Sequence, residues 1–448
     1  MKKYPLYKET DVKGIPSIPK GWVINKIKFV SKTIAGGTPD TKNIQFWENG
    51  TIPWLPSGKV HDCNIYEEDA DTFITELGLK GSAAKLIPAN SILIALTGAT
   101  CANIAHLHFV ATANQSVVAM PGSKKIENRF LFYCLLGIRE QILINKTGGA
   151  QSGINDGDIK NTQIPYPSLP EQISIVRFLN YKTGQIDSFI ANRQKQIELL
   201  KEQKQFVLDK RITEGIYPEK GFQKIVHPYI KQIPVGWEFK KLAFLSKITR
   251  LAGYEYTLLW EPQEDGEVIA LRGQNVGFNE LKDIENAERI SKELSLRLNR
   301  SKLYKGDIVF PCVGTVGKAV LIEEDNKYHI NQNIAKITPK NEVDGLFLSL
   351  LLNSYYAYHQ IIHFNTSDAQ PNVLVRDLRR FMIPTPPFEE QKEIARVIVK
   401  ELGTLNTIIS KYEKQIELMQ EYRTSLISQA VTGKIDVREW QPKKQQTA

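Results

Sequence analysis

Between Ser168 and Gly215 apolar residues recur in alternating steps of four and three. Ile186, Ile190, Ile197, Leu200 and Val207 form one stripe, interrupted by Arg193 and Lys204. That spacing predicts a long amphipathic helix with a seam about two residues per heptad wide. The pattern returns between Pro387 and Lys434, where the stripe is Leu405, Ile409, Tyr412, Ile416, Met419 and Leu426, and Arg423 stands in the place of Lys204. Gln196 and Gln415, Glu198 and Glu417, and Glu202 and Glu421 keep a constant separation of 219 (415−196, 417−198, 421−202), and KQIEL occurs at Lys195–Leu199 and again at Lys414–Leu418. A period this long is a duplicated domain, not a solenoid. So narrow a stripe needs a partner helix, and the nearest is the other copy, related by a two-fold and therefore antiparallel. The competing arrangement packs each helix on its own domain alone. Ser168, Pro170 and Glu171 make a capping-box start, and the second copy has Pro387 and Glu390 in the same places. Gly184 and Gly403 predict a break between a short leading helix and each long one.

The duplication extends beyond the helices. IPKGW at Ile18–Trp22 is echoed by IPVGW at Ile233–Trp237, Ser31-Lys32 by Ser246-Lys247, Thr97-Gly98 by Val313-Gly314, and Asn114-Gln115 by Asn331-Gln332. Further on, Thr147 and Gln151 answer Thr366 and Gln370, and Ile164-Pro165 answers Ile383-Pro384. The separation drifts from 215 to 219 (246−31, 383−164), as small loop insertions require. Short β-rich runs at Ser91–Leu96 and Asp307–Phe310, with helical stretches near Asn128–Leu143 and Leu346–Ile362, make each globular segment an α/β (α+β) domain. The order is globular segment, long helix, globular segment, long helix, an almost circular chain with pseudo-two-fold symmetry.

With 448 residues, 42% of them hydrophobic, there is room for two or three cored domains. No apolar run of about eighteen residues occurs and MKKYPLYKET lacks a signal-peptide core, which predicts a cytoplasmic protein without membrane anchorage. Cys63, Cys101, Cys134 and Cys312 show no CxxC spacing, so neither a disulfide framework nor a zinc knuckle is expected. The formal charge of +9 suits a nucleic-acid partner if the excess is gathered on one face.

The candidate chemical motifs are incomplete. TPPF at Thr385–Phe388 lacks the carboxyl or amide that an amino-directed DNA methyltransferase loop uses, and the first copy has YPSL there. TGGAQSG at Thr147–Gly153 lacks the strand-to-helix setting of a cofactor loop. VGTVGK at Val313–Lys318 has Cys312 and Ala319 where a phosphate-cradling loop needs glycine and a hydroxyl. His359 and His363 have the spacing of a zinc pair without the HExxH glutamate. No catalytic residue and no metal site is assigned, so a self-sufficient methyltransferase is disfavoured.

Together, the Gly-Gly-Thr-Pro turn at Gly36–Pro39, Ile52–Trp54, the paired Asn-Gln dipeptides, Ile-Pro before a helix opening in PEQ or EEQ, and TGKI from Thr432 resemble the specificity subunit of type I restriction-modification systems. The second copy departs from the pattern, with Ala252-Gly253-Tyr254-Glu255 in place of Gly-Gly-Thr-Pro. The resemblance implies two target-recognition domains, 1–167 and 217–386, two helical regions, 168–216 and 387–440, paired as an antiparallel coiled coil, and a tail, 441–448. It implies that the chain reads a bipartite site in double-stranded DNA without catalysis of its own and docks two methyltransferase subunits and the restriction subunits. S-adenosylmethionine, ATP and Mg2+ then belong to those partners. Independently, Ile186–Arg211 would span about 39 Å at helical rise, near the roughly 34–36 Å of one DNA turn. The alternative is a coiled-coil scaffold joining two domains that bind something other than DNA; steep salt dependence distinguishes the two.

Two readers of different half-sites share what builds the fold and differ in what touches bases. On that basis Asn114, Gln115, Gln151, Asn331, Gln332 and Gln370 are assigned to scaffold or phosphate positioning, as are Trp22 with Trp237 and Gly98 with Gly314. The divergent polar stretches are Thr38–Gly50, Gly58–Asn64, Arg272–Asn279 and Arg297–Lys302. Within them Lys59, His61, Arg272, Gln274 and Asn275 carry the donors and acceptors that match base edges in the major groove. Gln196, Glu198, Glu202, Gln415, Glu417 and Glu421 recur without a local structural need, which marks them as a partner-binding helix face.

Overall fold

Leu169–Glu214 and Phe388–Val431 are each one uninterrupted helix, of 46 and 44 residues. The break expected at Gly184 and Gly403 is therefore absent. A glycine inside a helix costs only about 1 kcal/mol, and here the Ser188 and Thr407 hydroxyls donate to the Gly184 and Gly403 carbonyls within the running helix. The computed structural model describes residues 2–144, 153–251, 253–365 and 372–442; the chain divides into two units, Met1–Arg193 with Glu413–Ala448, and Gln194–Tyr412.

Within each unit a segment of the first long helix lies antiparallel to a segment of the second. In the first unit Arg423 Nε donates to Asp187 Oδ1 at 3.1 Å, and the Phe178 and Tyr181 rings, further back along their helix, meet Trp440 beyond the end of the other. In the second, Lys204 reaches Asn406, and Arg211 Nη2 donates to Glu401 Oε1 at 2.7 Å. Two of the polar interruptions of the seam, Lys204 and Arg423, are thus partnered across it. Ile186, Ile197, Leu405, Ile409 and Leu426 are buried as the periodicity predicts. The globular cores use both helices as well. Ile175, Phe178 and Leu179 of the first helix and Leu426, Ile427, Ala430 and Val431 of the second share a cluster with Trp22, Phe130 and Phe132. Leu208 and Ile212, with Ile394, Ala395 and Ile398, share the other with Trp237, Phe310 and Phe347.

The helix entries are pinned by two residues each. Gln172 and Gln391 are buried: their Oε1 atoms accept from the backbone N–H of Glu127 and Asp344, and their Nε2 groups donate to the carbonyls of Pro167 and Pro386. Glu171 does not close a capping box. It accepts from the Tyr4 hydroxyl at 2.8 Å and lies 3.9 Å from Arg438, while Glu390 accepts from Trp237 Nε1 at 3.2 Å and pairs with Lys220 at 3.0 Å. A largely buried carboxylate is better satisfied by a cation and a ring N–H or O–H than by one exposed backbone donor. The exits match: Gly215 and Gly433 both take φ +72°, where a side chain would run into Trp237 and Pro19 respectively.

The hairpin Tyr7–Val12/Ile15–Pro19 attaches to the end of the second helix through Tyr7 Oη to the Gly433 carbonyl at 3.0 Å and Asp436 N to the Lys2 carbonyl at 2.9 Å. The hairpin Phe222–Lys224/Gln232–Pro234 follows the first helix in sequence. Each unit then has an antiparallel strand pair that brings the Ile-Pro run beside the strand after the tryptophan, Gln163–Tyr166 with Val23–Lys26 and Met382–Thr385 with Glu238–Lys241. A larger sheet follows, five strands in the first unit and four in the second, and a three-stranded sheet in each. Both helical stretches expected near 128–143 and 346–362 are split, into Asn128–Gly137 and Arg139–Leu143, and Gly345–Leu352 and Tyr355–Phe364. Among the described residues no helix is long and apolar enough to cross a membrane.

Candidate nucleic-acid interface

The three-stranded sheets position the candidate readers. In the first unit Ile52–Leu55 lies between Phe73–Ile74, antiparallel, and Thr112–Ala113, parallel; in the second Val268–Leu271 lies between Arg289–Ile290 and Tyr328–Ile330 in the same senses. Each central strand runs into one 3-10 turn, Ser57–Lys59 and Gly273–Asn275. The Asn-Gln dipeptides sit beside these turns by the same bond: Asn114 N donates to the Leu55 carbonyl at 3.0 Å and Asn331 N to the Leu271 carbonyl at 3.2 Å. The Asn114 and Asn331 side chains then accept from the N–H two residues on, Ser116 and Asn333. This is an Asx turn that fixes the loop, so these two asparagines hold the frame. Gln115, exposed, is bonded by the Thr38 hydroxyl. In the Gly-Gly-Thr-Pro turn a Cβ on Gly36 would fall 2.0 Å from the Asn114 carbonyl, which accounts for the glycine without a ligand.

Four of the five candidate base readers present polar atoms at these turns, and one does not. Asn275 is a correction. It is 1% exposed, its Oδ1 accepts from Arg272 N, and its Nδ2 donates to the carbonyls of Lys282 and Asp283, so the amide is spent on the turn itself. Gln274 is exposed, and it lines a cleft of about 480 Å³ with Arg272, Thr315, Asn331 and Gln332. Arg272 is held by Glu288, and Lys59 by Asp71 at 2.7 Å. The Lys59 ammonium holds the Asp71 carboxyl below its ordinary range. His61 is exposed, with Nδ1 2.9 Å from the Lys59 carbonyl. Gln151 and Gln370 lie outside the described residues, as does most of TGGAQSG. Arg297–Lys302 serves another place: Arg300 lines a recess with Lys247, Lys305 and Lys336, and Lys302 is buried.

The incomplete motifs have structural uses. VGTVGK turns between Ile308–Pro311 and Val320–Leu321, and Thr315 braces the Gly273–Asn275 turn by donating to the Gly273 carbonyl at 2.7 Å. Thr385 ends a strand and Pro386 receives Gln391. The Tyr229 ring stacks on His359 at 5.4 Å and meets His363 edge-on. Among the described residues no group of three or more His, Cys, Asp or Glu could hold a metal ion. Gln196, Glu198, Glu202, Gln415, Glu417 and Glu421 are all exposed, and next to them Leu199 and Leu418, the same position of KQIEL, are each half exposed.

A family model described as the type I restriction modification DNA specificity domain matches residues 19–199 and again 234–418. The chain belongs to this family. Each matched segment contains one of the two 3-10 turns and one Asn-Gln pair. Curated relatives include the type I restriction enzyme MjaIX and MjaVIII specificity subunits of Methanocaldococcus jannaschii, 26% and 27% identical over 97% and 96% of this chain and 97% of each relative. The fold is shared with a solved structure concerned with complex assembly and conformational transition of the type I R-M system (16% identity, 93% of this chain, 99% of that one, TM-score 0.69) and with the HsdS subunit from Thermoanaerobacter tengcongensis (17%, 95%, 100%, TM-score 0.51). Asp71, Glu288, Trp260 and Thr315 at these turns are not among the expected residues; Asp71 and Glu288 stand just ahead of the equivalent strands Phe73–Ile74 and Arg289–Ile290, an equivalence that shows only once the strands pair, and nothing in the sequence marks Trp260 or Thr315.

Proposed function

We propose that this chain is the non-catalytic DNA-reading subunit of a cytoplasmic type I restriction-modification complex, each specificity domain reading one half of a bipartite duplex site. The observation that supports it most is the shared frame with divergent tips: the same strand, turn and Asn-Gln pair occur in both domains, but Lys59 stands on one turn and Arg272 on the other. A common scaffold with different basic side chains is what two different half-sites require. Base-resolution mapping of methylated adenines in a host carrying this chain and its partner methyltransferase tests the reading. Two fixed base clusters separated by a spacer are expected; methylation without sequence preference contradicts it. Gln332→Ala is expected to weaken binding equally on the cognate site and on single-base variants, measured by equilibrium titration at fixed salt.

The exposed helix face around Leu199, Glu198 and Glu202, and its repeat around Leu418, Glu417 and Glu421, docks two methyltransferase subunits. Identical polar residues around an identical apolar spot suit identical partners. Restriction subunits join through them, and S-adenosylmethionine, ATP and Mg2+ are bound there and not by this chain. The Glu198→Lys, Glu417→Lys double variant is expected to lose co-purification with the methyltransferase subunit while its melting temperature stays within a few degrees, since exposed substitutions rarely exceed about 0.5 kcal/mol. Undiminished complex removes this role.

A further inference from the structure

We propose that Arg272 recognises a guanine in the half-site served by the second domain, and that Glu288 is its positioning residue. The proposal rests on the DNA-reading function above and adds which base is read and what holds the reader.

A guanidinium offers two edges for bidentate hydrogen bonding, the side edge of Nε with one Nη and the end formed by both Nη groups. Glu288 occupies the side edge: Nη2 donates to Oε1 at 2.6 Å and Nε to Oε2 at 3.3 Å. The carboxylate is itself fixed. Its side chain is 13% exposed, Oε2 accepts from Trp260 Nε1 at 3.2 Å, and the Trp260 ring packs between Tyr256 and His329, with centroids 5.3 and 5.8 Å away. The Glu288 backbone is tied to the central strand by Ala270 N at 2.7 Å. The root of Arg272 is fixed too, since its N–H donates to Asn275 Oδ1 at 2.9 Å and Thr315 holds the next residue's carbonyl. Both ends of the side chain are therefore set before any ligand arrives, and little rotamer freedom remains to be lost on contact.

What Glu288 leaves is the end edge, Nη1 with the second N–H of Nη2, on a residue that lines the cleft with Gln274 and Gln332. In the major groove guanine alone sets two acceptors, O6 and N7, side by side; adenine pairs one acceptor with a donor. Two parallel donors therefore select guanine. The ion pair also offsets much of the positive charge, so Arg272 adds little to sequence-independent attraction, which phosphate contacts supply. The first domain has an ion pair in the equivalent place, Lys59 with the exposed Asp71 from the segment ahead of the equivalent strand.

The test uses the full chain in complex with its methyltransferase subunits and selection from a random duplex library. The wild type is expected to fix at least one guanine in one half-site. Arg272→Lys and Arg272→Ala should relax that position alone, with roughly tenfold or greater loss on the cognate site. Arg272→Ala, which leaves the Glu288 carboxylate without its guanidinium, should in addition weaken unrelated duplex by a smaller, sequence-independent factor, while the base preference at every position of the other half-site is kept. Glu288→Gln should relax the same position with a smaller loss, because an amide accepts only one of the two N–H groups. A probe with 7-deazaguanine at that position, which lacks only the N7 acceptor, should reproduce the loss on wild type and cause none on Arg272→Ala; this arm does not depend on a variant folding. The proposal is overturned if wild type selects a site yet the variants retain every guanine, or if no 7-deazaguanine substitution in that half-site weakens binding. A wild-type complex that selects no sequence at all instead removes the function on which it rests.

Discussion

Trp237→Ala lowers the stability of the second unit by about 3–5 kcal/mol, the range for deleting a buried aromatic side chain. Trp237 is 3% exposed; its ring lies under Gly215, whose positive φ lets the chain leave the first helix there, and its Nε1 donates to Glu390 at the start of the second. Truncation opens a cavity and leaves a nearly buried carboxylate with Lys220 as its remaining partner. Trp22 has the corresponding place in the first unit, 1% exposed and against Gly433, but its Nε1 has no hydrogen-bond partner among the described residues. The two conservative changes should therefore differ. Trp22→Phe relieves a buried unsatisfied N–H, whereas Trp237→Phe breaks a bond to a charged group, worth about 1.5–3 kcal/mol. Denaturant titration followed separately for the two units, or calorimetry if the transitions separate, should find Trp237→Phe the more damaging of the pair. Equal losses would mean that the Glu390 bond contributes nothing.

The same comparison shows what was legible in the chain. The duplication, the helical seam and the tryptophan landmarks were read correctly, because burial imposes a period on apolar residues and the second copy repeats it. Glu171 and Glu390 carry a cap signature without being caps. Three residues after a helix start, a glutamate looks like a cap whether or not it is one, and its actual partners, Tyr4 with Arg438 and Trp237 with Lys220, lie far away in sequence. Asn275 shows the same limit at the interface. Base readers and turn formers draw on the same amides, and only the positions of the Lys282 and Asp283 carbonyls reveal that this one is consumed locally. The type of Arg272 and its divergence between copies single it out as a candidate; its partner Glu288 has no such mark, because a carboxylate 16 residues along is silent until the strands pair.

Exchanging residues 1–167 for the corresponding segment of another member of the family should change one half-site of the methylated sequence and leave the other intact. The Ser57–Lys59 turn, the Asn114-Gln115 pair and the Lys59–Asp71 bond all fall inside the exchanged segment, and the Arg272–Glu288 pair falls outside it. The stability of such a chimera follows a different boundary. The core of the first unit is completed by Leu426, Ile427, Ala430 and Val431 from the far end of the chain and by Ile175, Phe178 and Leu179 from the first helix. A foreign segment meets these surfaces with unmatched shapes, and each overpacked or underpacked contact costs about 1–3 kcal/mol. A second chimera that also takes the donor's 413–440 restores part of the matched core and should melt higher than the first while methylating the same new site. Should both half-sites change together in either chimera, reading would not be confined to one domain; should the second chimera alter the site further, residues of the long helix would belong to the reader.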